Sequence, residues 1–380
     1  MKKFLYLGLL FQLIVCQISD IPINEINNLR INQIQVIGSH NSYRLSMDSN
    51  LFKWLSRIDS TVAAELDYSH LPLDQQFSQF GIRQIELDVY YDPDGNLFNH
   101  RIGNVFTKNS ITPNYPKLKE PGLKILHFPD IDFQTNYLTF KDALYAVKIW
   151  SLKNPNHVPI FILIEAKEDG VPDKNSFLSV LGFIQPLKFN IDALNTIDEE
   201  IRDIFGAELK NVITPDNIRG DNASLENAIL NNGWPTLKKS RGKIIFGLDN
   251  SGSVMESYIK GHPGLKGRIL FVEASPGTPE AAFLGINSPS PEIEKRVRQG
   301  YLVRTRADAG TVQARTGNTV RRDKAFKSGA HFISTDYYLP DSRNERSKDW
   351  TDYSVRFPNN ITVRVNPING PSEFINLEIE

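Results

Sequence analysis

A chain of 380 residues with 43 Lys and Arg against 44 Asp and Glu has a formal charge of -1 and shows no basic stripe, so nothing in it points to nucleic acid as a partner. Its composition, 40% hydrophobic and 23% charged, is that of a soluble globular protein able to bury a large core. That length admits one large domain or two ordinary ones.

The first element is Lys2 and Lys3 ahead of an apolar run from Phe4 to Val15, broken only by Gln12. This layout predicts a signal peptide over residues 1–17, too short to span a bilayer, and therefore a secreted protein. The sole cysteine, Cys16, falls at the expected cleavage point, so the mature chain would hold no disulfide and no thiolate metal site. Loss of Lys2 and Lys3 takes the charge to -1 - 2 = -3.

Short apolar runs then recur with helical stretches between them. The predicted strands are Ile34 to Ile37, Gln84 to Tyr90, Ile125 to His127, Ile160 to Glu165, Lys243 to Leu248, Ile269 to Phe271, Tyr301 to Thr305 and His331 to Ser334. The predicted helices include Thr139 to Leu152, Glu226 to Asn231, Pro291 to Gln299 and Thr319 to Lys327. Eight strands alternating with helices predict an α/β fold with a parallel sheet, a single-domain (β/α)8 barrel over residues 18–345. A doubly wound sheet competes, but no Gly-rich phosphate loop follows the first strand. Residues 96–122 read as a long loop over the catalytic face. Residues 346–380 read as a tail or appended strand, with Ile361, Val363 and Val365 alternating with polar residues.

Catalytic residues of a barrel sit at the C-terminal strand ends, and the polar residues cluster there. In Gln84 to Tyr90 the apolar Ile85, Leu87 and Val89 alternate with Glu86 and Asp88, so both acids face one way. Buried side by side, they repel each other unless a cation sits between them. His40 and Asn41 follow the first strand, and a strand-end histidine can serve as general acid or base. His127 ends the third predicted strand and is a candidate second acid/base group, with Asp130 and Asp132 as residues that could orient it. His100, in a polar turn, competes for that role. Glu165 completes a set of Asn41, Glu86, Asp88 and Glu165, all oxygen donors, which suits Ca²⁺ or Mg²⁺. Lys167, Arg304 and Arg306 supply positive charge for an anionic substrate, most naturally a phosphodiester, unless they only balance the acids. Asp336, beyond the last strand, joins them as a candidate substrate-binding residue.

These residues together resemble the phosphatidylinositol-specific phospholipase C superfamily, and most nearly its secreted, Ca²⁺-dependent branch. The stretches that carry the likeness are Gly38–Tyr43, Ile85–Gly95, Leu126–Asp132, Ile162–Lys167, Gly233–Pro235, Phe246–Asn250, Val303–Asp308 and Ser328–Tyr338. The resemblance implies a distorted or incomplete TIM barrel. It also implies His40 as the base that deprotonates the inositol 2-hydroxyl, and His127 as the acid that protonates the diacylglycerol oxygen. Asn41, Glu86, Asp88 and Glu165 fall on the calcium ligands. The long insert between Asp88 and His127 departs from the animal enzymes, whose spacing would nominate His100 instead. Diacylglycerol and inositol 1,2-cyclic phosphate are the implied products, with hydrolysis on to the 1-phosphate as a further step the resemblance leaves open. The implied partner is a phospholipid at a membrane surface, met peripherally through barrel-rim loops by a monomer. Three other readings compete: a glycerophosphodiesterase or sphingomyelinase-D-like barrel, a glycosidase built on Glu86 and Glu165, and a secreted binding protein without turnover.

Overall fold

A run such as Ile160 to Ile164 has no polar side to offer solvent, so the strand it forms must be covered on both faces. The computed structural model, which describes residues 23–171, 180, 182–374 and 379–380, meets that demand with a ring of parallel strands inside a layer of helices. The signal peptide predicted for residues 1–17 lies outside the described residues.

The strands are β1 (Ile34–Ser39), β2 (Gln84–Tyr90), β3 (Lys124–Ile125), β4 (Ile160–Ala166), β5 (Val212–Ile213), β6 (Ile244–Leu248), β7 (Phe271–Val272), β8 (Phe283–Gly285), β9 (Leu302–Arg306), β10 (Phe332–Thr335) and β11 (Val363–Val365). Among the described residues, β1, β2, β4, β6, β7, β8, β9 and β10 succeed one another around the ring in parallel, and β10 closes back on β1. No ladder among those residues joins β7 to β8, so the barrel is open at that seam. The fold is a TIM-barrel-like α/β sheet that is distorted rather than fully closed.

Two expectations need correction. The segment predicted as a strand from Ile125 to His127 is not a barrel strand, because β3 has only two residues and runs antiparallel to the upper end of β2. The long insert after β2 brings the chain back down the same edge, and an antiparallel pair is what that return allows. The place expected for that segment is closed by the direct pairing of β2 with β4, and the eighth ring strand is instead β8, next to β9, a three-residue strand ending in glycine with no alternation to announce it. The other predicted strands agree with the observed ones within one or two residues. The predicted helix Pro291–Gln299 is observed with those bounds and ends at Gly300, whose φ of +105° suits glycine.

Alternate side chains turn into the lumen and form layers. Phe161 stacks on Phe332 with ring centres 4.4 Å apart and packs at a tilt against Phe283 at 4.8 Å, an apolar floor. Above it the lumen becomes polar, with Gln84, Glu86 and Asp88 from β2 and Arg304 from β9 all buried. Gly38 lets β1 approach β2 closely, since a methyl group there would fall 2.0 Å from the Gln84 amide oxygen. At the opposite end, β11 adds antiparallel to the start of β1, with Ile34 opposite Val365 and Val36 opposite Val363. The Glu380 side chain pairs with Arg83 and accepts the Val158 N–H at 2.6 Å, so it is tied to the barrel floor.

Candidate active site

The end of β1 carries the first group. His40 is fixed to β10 through its N–H and the Thr335 carbonyl at 3.0 Å, and Asn41 then takes a left-handed φ of +47° that turns the chain across the barrel mouth. Ser42 locks this turn to β2: its N–H donates to the Glu86 carbonyl at 3.0 Å and its hydroxyl accepts the Glu86 N–H at 2.9 Å. His40 Nδ1–H donates to Asp336 Oδ1 at 2.7 Å. Arg306 donates to Asp336 Oδ2 at 2.8 Å and to His40 Nε2 at 3.2 Å. That network sets the Nδ1–H tautomer and leaves Nε2 as the basic nitrogen. Burial and then Arg306 lower the His40 pKa, outweighing Glu86 and Asp336, which raise it. Burial alone would raise Asp336, but Arg306 and His40 overcome it and hold the carboxyl below its usual range. Both Asp336 oxygens are thus engaged, one by His40 and one by Arg306, where the sequence had suggested a residue for substrate.

The acids come from adjacent strands. Asp88 on β2 is in register with Glu165 on β4, and in a parallel pair such neighbours share a face. Glu86, Asp88 and Glu165 each offer an oxygen, with these oxygens all within 4.8 Å of one another. Asp88 is fully buried, and neither of its oxygens has a partner in hydrogen-bond geometry, although the Tyr43 hydroxyl is near enough to influence it. Asn41 Oδ1 is likewise buried and unpartnered, while its Nδ2 donates to the Tyr68 hydroxyl at 3.0 Å. Burial and then Glu165 push Asp88 well above the normal carboxyl range, with Lys167 opposing. Burial also raises Glu86, against the lowering effect of Arg304 and His40. Orphaned, crowded oxygen donors of this kind fit a hard divalent cation.

The cations expected to meet substrate are partly engaged. Arg304 is 1% exposed and donates to Glu86 Oε2 and to Asn287 Oδ1, so its charge balances the acidic cluster. Lys167 lies 3.4 Å from Glu165 and 3.8 Å from Asp88. Asp249 and Glu273, just beyond β6 and β7, face the same lumen, and burial raises both carboxyl groups. A methyl on Gly285 would fall 1.7 Å from Glu273 Oε1, so glycine on β8 makes room for that carboxyl.

His127 follows β3 at the mouth. Its Nδ1–H donates to Asp132 Oδ2 at 2.8 Å, across a one-bridge turn that pairs Phe128 with Asp132. Asp132 is fully buried and gripped by Arg44; Arg44 and His127 overcome the effect of burial and hold its carboxyl below the usual value. Asp130 serves the loops instead, accepting the N–H groups of Ile102 at 3.0 Å and Ile184 at 2.7 Å. His100 has no carboxylate partner among the described residues; its Nε2 is buried beside Gly182. Sequence reasoning missed Arg44, Tyr68 and His70. His70 Nε2–H donates to the His40 carbonyl at 2.8 Å, and burial holds this ring neutral with a pKa of about 4. Only the adjacency of Arg44 to the segment Gly38 to Tyr43 could have drawn attention to it.

A parallel barrel with two carboxylate-held histidines and an oxygen-only acidic cluster at its C-terminal end is the layout of a barrel phosphodiesterase. The sequence matches the family described as phosphoinositide phospholipase C, Ca²⁺-dependent, over residues 29–367. The chain belongs to this family of phosphatidylinositol phospholipases. Among solved structures, it is similar to the calcium-dependent phosphoinositol-specific phospholipase C of a Gram-negative Pseudomonas species in its myo-inositol complex, with TM-score 0.51 and 15% identity, covering 90% of this chain and 97% of that one. A second crystal form of that enzyme gives TM-score 0.51 and 14% identity over 89% and 96% of the two chains. These likenesses concern the fold. A search of curated proteins found no match. No helix among the described residues is long and apolar enough to cross a membrane.

Proposed function

We propose that this enzyme cleaves phosphatidylinositol to diacylglycerol and inositol 1,2-cyclic phosphate by general acid/base catalysis, with His40 as base and His127 as acid. The observation that carries the reading is that each ring is held through Nδ1 by a buried carboxylate, Asp336 or Asp132. This leaves each Nε2 for proton transfer. His40 Nε2 takes the proton of the 2-hydroxyl, that oxygen bonds to phosphorus, the bond to the glycerol oxygen breaks, and His127 delivers a proton to the departing oxygen. Because the nucleophile is part of the substrate, proximity is built in. Asn41, Glu86, Asp88 and Glu165 would hold Ca²⁺, with Mg²⁺ as the alternative; the ion, when bound, supplies Lewis acidity that lowers the hydroxyl pKa and offsets phosphoryl charge. Arg306 and Lys167 remain the candidate substrate cations.

The decisive test is phosphatidylinositol turnover followed by ³¹P NMR, with Ca²⁺ and then with chelator. The five-membered cyclic phosphate is the expected first product, lost on chelation. Release of glycerol phosphate or choline from other phospholipids, without any cyclic inositol phosphate, would reverse the assignment.

We also read the protein as secreted and monomeric, meeting its substrate at a membrane surface. A small apolar cluster that includes Leu51, Leu55, Tyr90, Phe98, Leu126 and Phe133 packs the segments after β1 and β2 together beside His127. On its outside, Trp54 stacks on Phe106 with ring centres 4.3 Å apart, and Ile58, Val105 and Phe106 are 64%, 51% and 36% exposed. Burying two aromatic side chains in lipid is worth about 3–6 kcal/mol at full transfer. Trp54→Ala with Phe106→Ala is therefore expected to weaken binding to phosphatidylinositol vesicles by at least about tenfold, while turnover of a soluble short-chain substrate stays within about twofold. Unchanged vesicle sedimentation would remove this rim from the membrane contact.

A further inference from the structure

The two histidines reach the site from separate segments, and one buried side chain touches the supports of both. We propose that Arg44 is a positioning residue for His127, holding its Asp132 partner in place and anchored on the turn that carries His40. The proposal rests on the reading of these histidines as base and acid.

Arg44 is 0% exposed. Its Nε and Nη2 donate to Asp132 Oδ2 and Oδ1 at 2.7 and 2.9 Å, and Asp132 Oδ2 accepts from His127 Nδ1 at 2.8 Å. Further N–H groups on Nη1 and Nη2 donate to the carbonyls of Tyr68 and Leu66. The guanidinium lies 4.3 Å from the centre of the Tyr68 ring, whose hydroxyl accepts from Asn41 at 3.0 Å and stands 3.5 Å from His40 Nδ1. The Arg44 backbone acts on the same side. Its N–H donates to the Asn41 carbonyl at 2.9 Å, and its carbonyl accepts the N–H of His70, the residue whose ring holds the His40 carbonyl. Arg44 is thus bonded to the acid's carboxylate at one end and to the base's turn at the other.

Residue type matters here. A planar fork can grip a carboxylate with two parallel bonds and still have N–H groups left for two carbonyls. A lysine ammonium can supply charge but cannot span both sides. Without the fork, Asp132 loses its fixed orientation, and with it His127 loses the bond that sets its tautomer. The damage should fall on protonation of the leaving oxygen.

The test compares phosphatidylinositol, whose alkoxide leaving group needs a proton, with an aryl inositol phosphodiester, whose phenolate does not. Arg44→Gln is expected to lower kcat on phosphatidylinositol about 100-fold and on the aryl ester less than about fivefold, because only the first depends on the general acid. Arg44→Lys should lie between parent and Arg44→Gln with the same bias. It is also the more stable control, since it keeps a cation beside the buried Asp132. His127→Ala, run in parallel, should show the same bias; equal losses on both substrates there would overturn the acid assignment itself. ¹⁵N NMR of the His127 ring gives an independent reading, with Nδ1 protonated in the parent and a mixture of tautomers in both Arg44 variants. An unchanged tautomer in the two variants, or equal losses on both substrates while His127→Ala remains biased, overturns the role of Arg44.

Discussion

His40→Ala is expected to lower phosphatidylinositol turnover by about 10³-fold, within the 10²–10⁴ that a positioned acid or base contributes. The loss should appear in kcat with little change in thermal stability, because His40 is 17% exposed and Arg306 remains to neutralise Asp336. A variant within tenfold of the parent would show that His40 is not the base. The pH profile gives a sharper check. His40 must be neutral to accept a proton, and burial with Arg306 holds its pKa below the ordinary value of 6.5. Activity should therefore rise with pH along a limb centred below about 6.5. Arg306→Gln removes a lowering influence and should move that limb to higher pH. Asp336→Asn removes a raising influence and should move it to lower pH. Shifts in the same direction would contradict the electrostatic account.

Much of this site was legible in the sequence because lumen-facing positions alternate along single strands. Glu86 with Asp88, and Glu165 with Lys167, could be assigned to one face from the spacing alone, and the register of β2 with β4 brings them together. What the sequence hid falls into two kinds. Short strands carry no periodicity, so β5 and β8 were missed, and β3 was taken for a barrel strand although it pairs antiparallel with β2. The second kind is pairing between distant segments. Arg44 meets Asp132, 88 residues on, and His40 meets Asp336, 296 residues on. Nothing in local pattern distinguishes a carboxylate that orients a histidine from one that binds substrate. Asp336 was therefore read for substrate although it meets His40, while Asp132 was read, together with Asp130, as a residue that could orient His127, and only Asp132 bonds to that ring.

Asp88→Asn is expected to abolish most Ca²⁺ binding, with affinity falling roughly 10²-fold or more, because ligand charge largely sets affinity at oxygen sites. In the metal-free protein Asp88 is a liability. It is 0% exposed, its oxygens lack hydrogen-bond partners, and burial with Glu165 drives its pKa well above the normal range. A group so placed takes up a proton as pH falls through its raised pKa, whereas the cation needs the carboxylate. Ca²⁺ binding should thus release a proton, and affinity should weaken as pH falls. Asparagine matches the protonated acid in shape, so the metal-free variant should melt within a few degrees of the parent. At 100 times Kd, binding to the folded state alone is worth about 2.7 kcal/mol, which should raise the parent's melting temperature by several degrees. The variant should lose this rise at the same Ca²⁺ concentration. Calorimetry in buffers of different ionisation enthalpy would also show whether proton release has gone. If Asp88→Asn retained both the thermal shift and the proton release, Asp88 would not be a ligand, and its burial between Glu86 and Glu165 would need another cation, with Lys167 the one already within 3.8 Å.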